Sequence, residues 1–414
     1  MLLKFSDKVR SDLIKYKEEL SLELTNILSY WKNFTIDEVN GGFAGKIDND
    51  NNIDGSAPKG SVLNARILWS FSAAYNLKAD PGYMEMADRA FRYINDNFID
   101  KEFGGVYWLL NAEGTPIDTK KQVYALAFNI YAFSEYHSAS NNLSAKHKAI
   151  ELYNDLIKHS YDTDKGGYFE AFDREWNPLE DLRLSEKDAN EKKTMNTHLH
   201  ILEAFTALYR IWPDEHLKSK IIELVQYFTT RIINKETWSL ILFFDENWEA
   251  KSDIVSYGHD IEAAWLLLEA AEAVHDEGII DLVKSTSVKL AEAARNGLDA
   301  DGSLWYEYEP SKNHIVREKH WWVQAEAMVG FFNAWQVSTD ERFLEISLKN
   351  WEFVKRKIIN YPKGEWFWGI GEQNEVMPGE DKVGVWKCPY HNSRACIEII
   401  RRIGQSVPPK ASSR

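Results

Sequence analysis

The chain is 414 residues long with a formal charge of −15. That length provides for a large core, and that charge argues against nucleic acid or any other polyanion as a partner, since nothing neutralises phosphates. Hydrophobic residues make up 44% and charged residues 27%, the balance of a globular protein in water, and no apolar run approaches a membrane span. Aromatic residues reach 13%, with 16 Trp and 19 Tyr. Beyond filling a core, such rings suit sugar binding, because the apolar C–H face of a pyranose lies flat on an indole while its hydroxyls find polar partners.

The N-terminal stretch "MLLKFSDKVRSDLIKYKEEL" becomes charged early and carries no apolar signal core. Two cysteines occur, Cys388 and Cys396, which argues against a disulfide framework and fits a reducing cytosol, the expected location. Residues 406–414 are small, polar and Pro-containing and are expected to be disordered. That leaves 1–405 as one domain, expected to be a monomer or weak dimer.

Short glycine-and-aromatic segments recur along the chain: "NGGFAGKIDNDNN", "FGGVYWLLNAEGTP", "KGGYFEAFDREWNP", a degenerate "WSLILFFDENWEA", "DGSLWYEYEPSKN" and "KGEWFWGIGEQNE". Gly41, Gly104 and Gly166 mark the first three, Gly302 and Gly364 the last two. Between copies lie two helical patterns. "SVLNARILWSFSAAYNL" is apolar almost all round and "PGYMEMADRAFRYINDNFI" is amphipathic; "KQVYALAFNIYAFSEYH" and "LSAKHKAIELYNDLIKHS" repeat the contrast. An all-round apolar helix must be buried, and an amphipathic one covers it. Six such pairs predict an all-α fold: a closed (α/α)6 barrel with short β-hairpin-like segments at one rim. An open solenoid, the alternative, would want polar capping repeats, and none is evident.

Polar residues interrupting the inner helices are then candidates for the lumen, where each needs a partner or a ligand. The first inner helix carries Arg66, which could equally pair with a core carboxylate. The third carries Asn196, His198 and His200; the i,i+2 spacing turns the two imidazoles to different faces, one for structure and one for the lumen. The fourth opens on His259, with Glu262 and Trp265 following at steps of three. Glu262 is placed to fix the tautomer of His259 and to raise its pKa, opposing the helix N-terminus and leaving the net sign there open. The fifth sets Trp322 and Glu326 at i,i+4. The sixth follows "VGVWKCPYHNSRACIEII", where Trp386 and His391 flank a Cys-Pro turn and Asn392 and Ser393 are expected N-caps. His259 and His391 both stand at helix N-termini, whose positive potential favours the neutral imidazole that a general base requires. A metal site built from His200, His259, His391 and Glu262 is conceivable, but no HExxH or paired short-spacing ligand set supports it, so no metal is expected.

"NTHLHILEAF", "YGHDIEAAWLL", "HWWVQAEAM" and "WKCPYHNSRAC", with "GGFAGKIDNDN" and "APKGSVLNARILWSFSAAY" near the start, resemble the cellobiose 2-epimerase family within the N-acylglucosamine 2-epimerase superfamily. The resemblance runs over roughly residues 10–405. It implies a cofactor-independent, cytosolic (α/α)6-barrel isomerase that epimerises C2 of the reducing-end glucose of β-1,4-linked disaccharides, turning cellobiose into glucosyl-mannose and lactose into epilactose. Position by position, it places the catalytic pair on His259 and His391 and a third histidine on His200. Sugar contacts fall on Arg66, Tyr124, Asn196, Glu262, Trp265, Trp322, Glu326 and Trp386.

The chemistry fits those residues. A C2 hydrogen becomes acidic only when C1 is a carbonyl, so the ring must open, C2 lose its proton to one base, and the enediolate regain one on the opposite face from another. The rivals are a mannose isomerase or monosaccharide 2-epimerase of the same superfamily, a glycoside hydrolase using Glu262 and Glu326 as paired carboxylates, and a non-enzymatic carbohydrate-binding barrel.

Overall fold

The computed structural model describes residues 6–406. Twelve helices follow one another: α1 (Asp7–Phe34), α2 (Ser61–Leu77), α3 (Pro81–Tyr93), α4 (Val123–Ser140), α5 (Leu143–Ser160), α6 (Met195–Ile211), α7 (Glu215–Tyr227), α8 (Tyr257–Val274), α9 (Glu277–Ala294), α10 (Trp321–Ser338), α11 (Glu341–Phe353) and α12 (Tyr390–Ser406). The even-numbered helices pack side by side as α2, α4, α6, α8, α10 and α12, and α12 returns to α2, so the inner ring closes. Each of α3, α5, α7, α9 and α11 covers the inner helix before it. The sixth inner helix, last in the chain, is covered by α1, the first. This is the expected all-α (α/α)6 barrel. The disorder expected of 406–414 lies outside the described residues except for Ser406, which ends α12.

The two rings differ as their sequences require. In α2 every residue from Ser61 to Ala74 is buried; in α5 burial falls on Ala145, Ala149, Leu152, Tyr153 and Leu156, one stripe of a 3.6-residue period. The outer helices begin with side-chain caps: Asp80, Asn142, Asp214, Asp276 and Asp340 each accept a backbone N–H of the first turn. Four of the inner helices also bond to the neighbouring repeat, and of these α6 has a side-chain cap as well, Thr194 accepting from the Thr197 N–H at 3.1 Å. Ser61, Val123, Met195 and Trp321 donate their backbone N–H to the carbonyls of Trp108, Glu170, Leu242 and Trp368, each in the next glycine segment. The recurrent segments therefore join neighbouring repeats while leaving the inner N-termini facing one rim.

Each segment closes on itself through an antiparallel bridge: Ile36 with Phe43, Ile99 with Val106, Tyr161 with Tyr168, Ile233 with Leu240, Leu298 with Leu304 and Ile359 with Trp366. The repeated glycine is needed because its φ is positive, +78° at Gly41 and +76° at Gly104. In the degenerate fourth copy Trp238 takes the same left-handed conformation, φ 60°. A buried lysine two residues before the inner helix reaches the aspartate of the turn: Lys59 to Asp37 at 2.7 Å, Lys121 to Asp100 at 2.8 Å, Lys193 to Asp162 at 2.7 Å and Lys319 to Asp299 at 2.8 Å. The fourth copy has Asn234 and Val255 at these positions. Both charges are lost together, which avoids a buried ion without its partner.

One expectation is corrected. Asn392 and Ser393 are not N-caps, because α12 begins earlier, at Tyr390. The Pro389 carbonyl accepts the first helical bond, from the Ser393 N–H at 3.1 Å, and the Asn392 side chain turns inward to Glu365 at 2.7 Å.

The α1–α12 seam carries a buried carboxyl group. Glu23 of α1 accepts hydrogen bonds from the Trp366 indole at 2.8 Å and from Asn26 at 3.2 Å. Burial, with Glu365 nearby, raises its pKa from 4.5 to about 7. A carboxyl group with a raised folded pKa costs nothing below its unfolded value, and costs progressively more as pH rises from about 4.5 to about 7. Above that range the cost is on the order of 3 kcal/mol. Glu23→Gln, which can keep the Trp366 bond, is expected to raise Tm at pH 8 clearly more than at pH 5. An equal change at both pH values in thermal melts would contradict this account.

Candidate active site

The inner N-termini surround a cavity of about 460 Å³, within the range of small-molecule sites. Its wall brings together nine of the eleven residues singled out in the sequence: Arg66, Tyr124, Asn196, His200, His259, Glu262, Trp322, Trp386 and His391. They come from all six inner helices and the turn before α12.

The two helix-start histidines stand against the same indole. The ring of Trp322 lies 4.7 Å from the His259 ring and 5.8 Å from the His391 ring, centroid to centroid. Their supports differ. His391 Nδ1 is 2.7 Å from Glu326 Oε1, while His259 Nδ1 is 2.8 Å from Ser256 Oγ. Glu262 was expected to support His259 and does not; its Oε1 instead accepts from Arg394 at 2.5 Å. Burial pushes His259 down to about 3, with His200 adding to the effect and Glu326 opposing it. Burial, Arg66 and Arg394 push His391 well below the ordinary histidine value. Both rings are thus neutral at neutral pH.

His200 is held by Glu203 at 3.0 Å through Nδ1, leaving Nε2 for the lumen that the residue lines. Its pKa is lowered by burial, against the pull of Glu203. His198 is the structural one of the pair: Nε2 accepts the Tyr168 N–H at 3.0 Å and Nδ1 faces the Thr194 carbonyl at 2.6 Å.

Arg66 is 3% exposed, and among the described residues no carboxylate pairs with it. Its guanidinium donates to the Tyr124 hydroxyl at 2.8 Å, approaches Cys388 Sγ at 4.0 Å and lies over the Phe128 ring at 4.1 Å. A buried cation held by rings and a neutral hydroxyl is a ready partner for negative charge in the cavity. Asn196 adds an amide oxygen that is buried without a partner.

Two expected sugar contacts lie behind the wall. Trp265 is 1% exposed and donates its indole N–H to Glu326 Oε2 at 3.1 Å. Glu326 spends its other oxygen on His391 and Arg394. Glu262, Glu326 and His391 bring ligand atoms within 4.8 Å of one another, a spacing that suits a cation. The cation there is Arg394, bonded to both carboxylates.

Sequence reasoning missed several neighbours. Tyr306, His320, Trp321, Trp368, Glu380 and the segment 184–188 complete the mouth. Tyr306 stacks on His320 at 4.0 Å, and His320 Nε2 is 2.8 Å from Glu318. Asp188 closes its own loop, accepting from the N–H and hydroxyl of Ser185 at 2.9 and 3.0 Å. Register was the available signal for the lumen floor: Arg66, Phe128, His200, Glu262 and Glu326 are each the sixth residue of their inner helix.

The contrast between His198 and His200 is testable. His198→Ala leaves the buried Tyr168 N–H unpaired and is expected to cost about 1–3 kcal/mol of stability, while turnover per folded molecule stays near that of the parent. Chemical denaturation and activity measured on the same sample check this; lost turnover at unchanged stability would assign His198 to the chemistry.

The family model for N-acylglucosamine 2-epimerase matches residues 41–395. A cellobiose 2-epimerase of Bacteroides fragilis is 50% identical over 93% of this chain and 98% of its own length. One from Dictyoglomus turgidum is 39% identical over 95% of this chain and all of its own. The structure of cellobiose 2-epimerase from Spirochaeta thermophila superposes with a TM-score of 0.91 at 36% identity, covering 97% of this chain and 99% of that one. With this site and these relatives over nearly its whole length, the chain belongs to the N-acylglucosamine 2-epimerase family, in its cellobiose 2-epimerase branch.

Proposed function

We propose that the protein epimerises C2 of the reducing-end glucose of β-1,4-linked disaccharides, cellobiose and lactose among them, by proton transfer between His259 and His391. The observation that carries this reading is the placing of two neutral, separately supported imidazoles against one indole, with an unpaired guanidinium in the same wall. Hydrolysis would need two carboxylates free to flank a glycosidic bond, and Glu326 has both oxygens committed inside the protein.

In the proposed reaction His200, oriented by Glu203, moves the proton between O1 and the ring oxygen as the hemiacetal opens to the aldehyde. One of His259 and His391 takes the C2 proton. The negative charge that develops on O1 is held by the Arg66 guanidinium, with the amide N–H of Asn196 as a second donor, groups already in place before the step. The other histidine, first protonated by solvent, delivers that proton to the opposite face of C2, giving the mannose configuration, and the first histidine gives its proton up to solvent. Trp322 and Trp386 supply ring faces for the sugar. The reverse direction exchanges the roles of the two histidines. The reading takes residues 1–405 as one catalytic domain, with the helices of a single closed ring and the turn before α12 supplying every role, and places the protein in the cytoplasm as a monomer or weak dimer.

Incubation with cellobiose in heavy water is expected to give an isomeric disaccharide carrying deuterium at C2; free glucose would mark a hydrolase, and product without deuterium would exclude proton exchange. His259→Ala and His391→Ala are each expected to lower kcat by about 10²–10⁴-fold with the circular dichroism of the parent. Because burial lowers the pKa of both histidines, the neutral base persists as pH falls. The acid limb of kcat/KM is therefore expected below pH 6, and a limb near or above the ordinary histidine value would contradict the assignment.

A further inference from the structure

Beneath the lumen floor, Arg394 ties together groups that the sugar site uses one by one. It lies on α12 one turn past Tyr390, is 1% exposed, and does not line the cavity. One arm of its guanidinium donates to Glu203 and to the Tyr390 hydroxyl. The other donates to Glu262 Oε1 at 2.5 Å and to Glu326 Oε1 at 2.7 Å. The flat faces rest on the rings of Tyr390 and Trp265, 4.3 and 4.8 Å from their centroids.

Two of those carboxylates are the supports of histidines. Glu203 uses its other oxygen for His200, and Glu326 uses the very oxygen it shares with Arg394 for His391. That shared oxygen decides the chemistry. A carboxylate given wholly to an imidazole stabilises the imidazolium strongly, and a histidine that keeps its proton is neither a base at neutral pH nor quick to give the proton back. A carboxylate shared with a guanidinium has part of its charge already satisfied.

Resting on the epimerase reading above, we propose that Arg394 is a positioning residue for the reaction, holding the supports of His200 and His391 from one guanidinium and keeping both imidazoles willing to release a proton. The other charged and titratable groups facing His391 are Arg66 from α2, Tyr124 from α4, His200 and Glu203 from α6, His259 and Glu262 from α8, and Tyr390 on its own helix. Of the two cations, Arg66 stands in the lumen wall and is unpaired, while Arg394 is bonded to the support itself. His259, supported by Ser256, has no bond to this network.

The sign follows. Removing the cation raises the proton affinity of the cluster, so its first proton binds at higher pH. In Arg394→Lys, whose ammonium cannot span three carboxylates, and more so in Arg394→Met, the acid limb of kcat with cellobiose is expected to move up by about one pH unit or more. Turnover falls more steeply than the parent's as pH drops below neutral, matches the parent's at pH 9, and KM changes little. Nitrogen-15 NMR of labelled imidazoles is expected to show His200 and His391 titrating higher together, with His259 unmoved. Should Arg394→Met fail to fold, Arg394→Lys carries the test alone. An acid limb and imidazole titrations like those of the parent, with only the folded fraction reduced, would make Arg394 a purely structural residue and overturn the proposal. A parent protein that leaves cellobiose unchanged would overturn the epimerase reading, while the imidazole titrations would still report on Arg394.

Discussion

The lumen of this barrel must bury charge, and the way it does so governs the rest. Three carboxylates, from Glu203, Glu262 and Glu326, meet one guanidinium with almost no side-chain surface exposed. Ions in such a place persist only with excellent geometry and full hydrogen bonding, and that demand fixes several helices at once: α6, α8 and α10 each supply a carboxylate and α12 the cation. Burial and Glu326 raise the pKa of Glu262, against the pull of Arg394, whereas Glu203 is held down to about 2 chiefly by Arg394, against its own burial. Neighbouring carboxylates around one cation are thus driven apart in acidity, and the one facing the lumen is the one nearer to holding a proton.

The ring serves this arrangement. Six inner helices closed on themselves put equivalent residues at one depth, so a site assembled from six distant stretches of sequence needs no long loops to bring them together. The sheets and bridges of the glycine segments leave the inner N-termini open to the cavity, and helix N-termini favour negative charge. An enediolate at that rim lies in a field suited to it before any side chain is counted. The outer helices, with their side-chain caps, carry the solvent face and take no part.

The architecture was legible because two signals agreed: a glycine segment repeated at a nearly constant interval, and helices apolar all round alternating with helices apolar on one stripe. The role of α1 was not, since its partner α12 lies at the other end of the chain. The histidines were visible as interruptions of apolar helices. Arg394 was hidden because "NSRACIEIIRR" reads as an ordinary amphipathic helix with basic residues, and only ring closure, which brings the carboxylates of α6, α8 and α10 to α12, buries it. Trp265 was misplaced for a geometric reason. Steps of three and four identify a face of a helix but not a depth, and at 1.5 Å per residue three further residues descend about 4.5 Å below the wall. Glu326 shares the level of Glu262, but its oxygens are drawn under the floor by Arg394 and Trp265.

The unequal support of the two histidines bears on reversibility. An epimerase that runs both ways needs each histidine to remove the C2 proton in one direction and to supply one in the other, so the two should not differ widely in basicity. Support by a carboxylate strengthens an imidazolium more than support by a hydroxyl, because hydrogen bonds to charged groups are roughly twice as strong. On that ground alone His391, held by Glu326, would outcompete His259, held by Ser256. His391 is also the one faced by two guanidinium groups, Arg66 and Arg394, both of which disfavour its protonation. The cations offset the carboxylate, so two imidazoles with different neighbours are both drawn in the same direction, toward the neutral form.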